Sequence, residues 1–410
     1  MDSRFRGNDT FARGSMVFNM PSKVKIAGAG PSGLTAAICL AKAGYEVTIN
    51  ETRESVGARF IGDFQVLENA SGNLDFLEWL QKIGISINFF TQPVREATLF
   101  DYRLKGKTVK SREPFAYFIQ RGNASALSGN TALIGAVRER KTHSPIISLD
   151  QGLRDQALSV GVKIQYQSKA ILAEADIVAT GPSSADALAK EMTFLTDSPN
   201  KVWILFDMKY APGGYAYLFV LDGRATFGCA ITCDLPYISR YFDLSLKRFQ
   251  EIDPISISDM QTGYSFMDFS LKGSATNNQS MYVGEAGGFQ DYLFGLGLRY
   301  AMMTGYFSAM SIIENKSYDL LWREQLGHSQ EVSLVNRAIY EFAGNMGLST
   351  FVRRAAGKDF KEYLTSWQKP SLWKSGLLPI VKWVWQRNRL RTPCKHPFPL
   401  HWCREGKRLL

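Results

Sequence analysis

The sequence predicts an α/β domain joined to an antiparallel β-sheet domain and followed by a helical C-terminal region. Three observations lead there. Residues 24–51 read as strand, glycine turn, helix, strand and acid. Segments such as Val202-Trp-Ile-Leu-Phe-Asp-Met and Tyr215-Ala-Tyr-Leu-Phe-Val alternate with the period of two that strands require. From residue 317 to 365 the pattern turns helical, through Leu334-Val-Asn-Arg-Ala-Ile-Tyr.

The N-terminal unit is the most specific. Val24 to Ala27 is a short strand-forming run. Gly28, Gly30 and Gly33 follow as G-x-G-x-x-G. A helical stretch from Leu34 to Ala43 stops at Gly44, a residue suited to a helix C-terminus. Val47 to Ile49 is the second strand, and Glu51 ends it, 18 residues after Gly33. Gly28 permits the tight turn, Gly30 lets the backbone approach a pyrophosphate, and Gly33 lets helix and strand pack closely. Pro31 and Ser32 share that turn, where a helix N-terminus offers free N–H groups and a partial positive charge to phosphates. Glu51 accepts from ribose hydroxyls and disfavours a 2′-phosphate. These residues predict an FAD/NAD(P)-binding Rossmann-like domain.

Bulk properties narrow the class. The 410 residues are 45% hydrophobic and 21% charged, globular in composition and long enough for two domains. No apolar run reaches the length of a membrane span, and the N-terminus lacks the layout of a signal peptide. Five cysteines in a chain this long do not form a secreted disulfide framework, so a reducing, cytoplasmic compartment is expected. Of the net charge of +10, residues 351–410 contribute +11. The body is therefore close to neutral, and nucleic acid is not an expected partner. Residues 1–20 show no periodicity and are expected to be disordered and without function.

Segments after Glu51 carry a family resemblance. Glu51-Thr-Arg-Glu-Ser-Val-Gly-Ala-Arg59 resembles the E-x-R-x-x-x-G-x-R extension of FAD-dependent oxidoreductases. That adds Thr52, and it implies that Arg53 or Arg59 brings a guanidinium to the pyrophosphate. Ala175-Asp-Ile-Val-Ala-Thr-Gly-Pro182 looks like the strand that closes the FAD domain of such enzymes, with Thr180 and Gly181 beside the cofactor. Residues 281–302 resemble the G-D-A…G-x-G…A-M segment of the p-hydroxybenzoate hydroxylase superfamily, in its geranylgeranyl-reductase-like branch. The resemblance implies that Gly284 and Glu285 reach the ribityl hydroxyls, with Glu in place of the usual Asp. It also implies that Gly295, Leu296 and Gly297 open a helix aimed at the flavin, where its dipole stabilises the negative charge of the reduced ring. Pro212 to Phe219 and Ala225 to Ile231 resemble an aromatic hairpin of the same branch that covers flavin and substrate.

The resemblance spans about Lys23 to Ala309. It implies noncovalent FAD, with NAD(P)H as a transient donor or another external source of electrons. The implied reaction is hydride transfer from reduced flavin to a double bond of a hydrophobic, prenyl-type small molecule. Tyr215 and Tyr217 are the candidate catalytic groups. An aromatic-ring monooxygenase is the alternative, and a non-catalytic flavin- or lipid-binding protein the second.

The expected domains follow. Residues 22–95, 149–200 and 277–316 form a discontinuous FAD domain. Residues 96–148 and 201–276 form the substrate domain, and 317–410 the helical region with a basic tail. Gly122 to Ile147 reads as an inserted mobile loop. Just before it, Arg121 reaches either the FAD phosphates or a surface salt bridge. In the tail, Leu377-Leu-Pro-Ile-Val-Lys-Trp-Val-Trp385 with Arg387, Arg389 and Arg391 either lies on an anionic membrane or packs on the protein. Cys394, His396, His401 and Cys403 have zinc-ligand chemistry in an uncommon spacing, so coincidence or a disulfide competes with a metal.

Overall fold

The computed structural model describes residues 23–72, 74–122, 147–182, 185–269, 271, 273–277 and 279–391. The expectations for residues 1–20, for nearly all of the 122–147 insertion and for the Cys394, His396, His401, Cys403 cluster lie outside them.

The cofactor half is a six-stranded sheet. Its order is Thr276–Asn277, Ser280–Tyr282, Ile177–Val178, Lys23–Ala27, Glu46–Asn50, Lys163–Gln165, and all pairs but the first are parallel. The central strand is buried on both faces at Ile26, which pairs with Ile49 on one side and Ile177 on the other. Helix Pro31–Lys42 begins directly after the glycine turn with Pro in its first turn, where the missing N–H costs nothing. It packs on helix Leu298–Ile313. The contact is close because Gly305 brings its backbone against the Ser32 carbonyl, leaving no room for a side chain there.

The second half holds two sheets. Phe64–Glu68, Ala116–Gln120 and Thr91–Val94 form a three-stranded antiparallel sheet. A seven-stranded sheet runs Ser258–Met267, Ala187–Leu195, Arg224–Ile231, Tyr215–Leu221, Lys201–Leu205, Glu96–Phe100, Gly106–Lys110, antiparallel except between Lys201–Leu205 and Glu96–Phe100. The expected aromatic hairpin is its centre, closed by Asp222 and Gly223, both at positive φ, as a two-residue hairpin turn requires. One face of this sheet packs on helix Ile238–Gln250 through Phe227, Phe242 and Phe249. The other carries Leu99, Ile204, Tyr217 and Phe219 toward the C-terminal helices. Ala187–Leu195, within the span assigned by sequence to the cofactor domain, pairs wholly in the seven-stranded sheet.

The C-terminal region is helical, as expected: Tyr318–Trp322, His328–Ala355, Phe360–Gln368 and Leu372–Arg391. His328–Ala355 is interrupted at Gly344, whose φ of 54° is left-handed. Tyr340, Leu348, Val352, Phe360 and Tyr363 bury against the sheets. Among the described residues, no helix is long and apolar enough to cross a membrane.

Candidate functional site

One cavity of about 660 Å³ runs from the glycine turn into the space between the two sheets and the C-terminal helices. Its walls bring together almost every cofactor residue expected from sequence: Gly28, Gly30, Pro31 and Ser32; Glu51, Thr52, Arg53 and Arg59; Arg121; Thr180 and Gly181; Glu285; and Gly295, Leu296 and Gly297. Gly33 and Gly284 stand one layer behind. A Cβ on Gly33 would overlap the Gly28 carbonyl, and one on Gly284 would lie 3.0 Å from Ser32 Oγ.

The glycine turn is locked by backbone and by Glu51. Gly28 has φ 103°, and its N–H donates to the Asn50 carbonyl at 2.8 Å. The Ala29 N–H donates to Glu51 Oε2 (2.8 Å) and the Arg53 N–H to Oε1 (2.9 Å). A carboxylate accepts about four hydrogen bonds, so Glu51 keeps acceptor capacity for a ribose. Gly30 is the residue before the helix. It provides no side-chain cap, and a Cβ built on it meets nothing within 4 Å. A helix N-terminus without a side-chain cap beside open space at Gly30 is the cradle a pyrophosphate needs.

At the opposite wall, helix Leu298–Ile313 starts at Gly297, again without a side-chain cap. Gly295, φ 71°, makes the preceding turn. The Glu285 carboxylate lies beside Gly297, 3.6 Å from where a Cβ would be. Burial pushes its carboxyl up to about 7; the Arg59 guanidinium opposes that shift, and Asp268 adds to it. Among the described residues no group hydrogen-bonds the Glu285 side chain. Solvent-sized space reaches the Arg59 side chain, but protein surrounds it closely enough that desolvation lowers its pKa against the pull of Glu285. Arg59 also stacks on Phe60, 4.5 Å from the ring centroid.

Arg121 is at the cavity wall, yet it forms no surface salt bridge. Its Nε and Nη2 each donate to Asp150 at 2.9 Å, a bidentate pair in which both side chains are buried. Nη1 donates to Gln65 at 3.1 Å. The same Asp150 accepts from the Gly122 N–H at 2.9 Å.

The far end of the cavity is an apolar chamber lined by Leu99, Phe118, Ile204, Phe219, Phe351 and Leu364. Tyr215 and Tyr217 both line it, but their hydroxyls are engaged. Tyr215 donates to the Phe294 carbonyl at 2.6 Å and Tyr217 to Glu191 at 2.8 Å. Burial raises the pKa of both. Sequence reading missed Glu191 and Ser265 on this wall, and also Phe351, Phe360, Leu364 and Gln368 from the C-terminal helices. The glutamate's one sequence signal is a charge at the start of Glu191–Phe194, the run of the strand A-L-A-K-E-M-T-F-L that is buried at every position.

The donor set fits FAD. Two helix N-termini without side-chain caps, open space at Gly30, and Glu285 and Arg59, which have no hydrogen-bonded side-chain partner among the described residues, all line one cavity.

Comparison with known proteins agrees. Residues 26–62 match the model of the NAD(P)-binding Rossmann-like domain family. The chain is 26% identical over 203 residues to digeranylgeranylglycerophospholipid reductase 2 of Methanothermobacter thermautotrophicus, covering 45% of this chain and 48% of that protein. It is 37% identical over 90 residues to an L-amino acid oxidase of Cerastes cerastes, covering 20% and 17%. The matched stretches thus span less than half of either curated relative. Among solved structures, a geranylgeranyl bacteriochlorophyll reductase-like protein from Thermoplasma acidophilum superposes with TM-score 0.62 at 16% identity, covering 89% of this chain and 98% of that one. A flavin-dependent brominase superposes with TM-score 0.57 at 15% identity, covering 89% and 99%. By fold, the chain is similar to flavin-dependent proteins, with a geranylgeranyl bacteriochlorophyll reductase-like protein and a brominase among those it superposes on.

Proposed function

We propose that this chain is an FAD-dependent oxidoreductase that reduces a carbon–carbon double bond of a hydrophobic, prenyl-type small molecule. The observation that carries the reading is continuity: a single cavity is glycine-lined and polar at one end and apolar at the other. Gly28 to Ser32 would hold the pyrophosphate, Glu51 the ribose, Glu285 the ribityl chain and Gly295 to Gly297 the edge of the isoalloxazine. Bound and reduced, FAD would supply a hydride; NAD(P)H or another external donor would reload it. The chain's own part is to bind, orient and exclude water. Phe118, Phe219 and Phe351 form a wall on which an isoprenoid tail loses its hydration. The match to a digeranylgeranylglycerophospholipid reductase supports an isoprenoid substrate.

A membrane-dissolved substrate calls for a docking surface, and Leu372–Arg391 supports that role. Leu372, Trp373, Ile380 and Trp383 are exposed on it, within a tail that carries the chain's positive charge.

The test is anaerobic. Purified protein should carry FAD and, once reduced by dithionite, lose reduced-flavin absorbance on addition of geranylgeraniol without oxygen. Reoxidation that occurs only with oxygen, with label from ¹⁸O₂ appearing in an aromatic product, would replace this reading with a monooxygenase.

A further inference from the structure

A glutamate in the wall of an apolar chamber is costly unless its charge is matched or its proton retained. Glu191 lies mid-strand in Ala187–Leu195 and lines the cavity. Sheet register places it opposite Gly228 on one side and Gly263 on the other. Gly228 is in turn opposite Tyr217. A side chain on Gly228 would overlap the Tyr217 ring, so the glycine is what lets that ring lie across the neighbouring strand. The Tyr217 hydroxyl thereby reaches Glu191 Oε1 at 2.8 Å, and the Ser265 hydroxyl reaches Oε2 at 2.7 Å. On the Gly263 side, Ile61 fills the space, 3.2 Å from where a Cβ would be. Its loop brings Arg59 and Asp63 toward the same acid.

We propose that Glu191 is the acid/base group of the chamber, carrying an exchangeable proton that Tyr217 and Ser265 aim at the substrate. The inference rests on the reductase reading. When one alkene carbon receives a hydride from the reduced flavin, its neighbour takes the proton from a Glu191 oxygen. The π bond is replaced by two C–H bonds, the flavin is oxidised by two electrons, and Glu191 is left as a carboxylate that regains a proton from solvent. Tyr217 is a positioning residue in this scheme, since its own pKa is raised too far for net proton release. The groups facing Glu191 act in opposite directions. Burial and the Asp63 carboxylate raise its pKa, while the hydrogen bonds from Ser265 and Tyr217 and the Arg59 guanidinium lower it; the balance lies at about 7.

Infrared difference spectroscopy of the full chain, wild type minus Glu191→Gln, isolates this carboxyl from Glu285. The expected result is a carbonyl band that titrates near neutrality. Tyr217→Phe should move its midpoint up, because a hydrogen bond to the charged form is lost, and Asp63→Asn should move it down, because a like charge is gone. If Glu191→Gln folds poorly, the wild type minus Tyr217→Phe difference reads the same shift, because Tyr217 hydrogen-bonds Glu191 and is not among the groups that shift Glu285. No titrating band in the difference, or shifts of the wrong sign, overturns the proposal. In FAD-loaded protein, Glu191→Gln should be reduced by dithionite at the wild-type rate yet lose about 10²–10⁴-fold in reduction of geranylgeraniol. Unchanged alkene reduction overturns the role of Glu191 alone. Protein that refuses FAD overturns the flavin reading while the titration still reports on Glu191.

Discussion

Gly33 packs so tightly on Gly28 that a single methyl group on its Cα would penetrate the Gly28 carbonyl oxygen. Gly30, three residues earlier, has no neighbour within 4 Å of the same position. The two glycines of one motif therefore serve different ends, one internal packing and the other an open face.

That contrast predicts opposite phenotypes. Gly33→Ala forces helix Pro31–Lys42 off its strand and should cost about 1–3 kcal/mol, the usual range for overpacking. Gly30→Ala should leave the denaturation midpoint near wild type while weakening FAD binding. Urea denaturation of FAD-free protein and a fluorescence titration with FAD separate the two. An alanine at position 30 that binds FAD normally would remove the pyrophosphate from this turn.

The Arg121–Asp150 pair is buried on both sides, so removing one partner strands a charge. Asp150→Asn should destabilise the fold by about 3–5 kcal/mol. Part of that loss comes from the Gly122 N–H, which shares the carboxylate. Equilibrium urea unfolding measures it, and a change within error would mean that solvent reaches the pair.

The buried acids set a pH dependence. Glu191 and Glu285 move from an ordinary 4.5 to about 7 in the folded chain. Between those values the native state holds protons that the unfolded chain has released. Stability is therefore fully present below about pH 4.5 and falls as pH rises to about 7. Glu191→Gln should flatten part of that fall and be more stable than wild type at about pH 8. Thermal melts of FAD-free protein across this window provide the check.

The exposed helix Leu372–Arg391 predicts binding to anionic lipid. Tryptophan emission should shift to the blue with phosphatidylglycerol vesicles and not with phosphatidylcholine vesicles. The double variant Trp373→Ala, Trp383→Ala should lose the shift without losing FAD. Added salt should weaken binding, because screening shortens the reach of the charges.

What was legible in the sequence were the places where backbone geometry leaves one choice of residue. Gly28 at φ 103° and Gly295 at φ 71° had to be glycine, and their spacing announced a turn before each helix. Side chains whose meaning depends on register were not legible. Glu191 is one of two charges in its strand, and it opens the run Glu191–Phe194 that is buried at every position, where alternation disappears. Its two glycine neighbours lie 37 and 72 residues downstream, and only sheet pairing brings them to its sides. Arg121 was noticed and its partner was not, since Asp150 lies 29 residues away beyond the insertion. The C-terminal helices read as a separate region because nothing in their pattern says that Phe351 and Leu364 close a chamber formed by strands.

The Gly122 N–H is clamped to Asp150, and the Ile147 carbonyl accepts from the Phe90 N–H at 2.8 Å. The places where the described chain leaves at Gly122 and returns at Ile147 are therefore each tied by a hydrogen bond to the body of the protein.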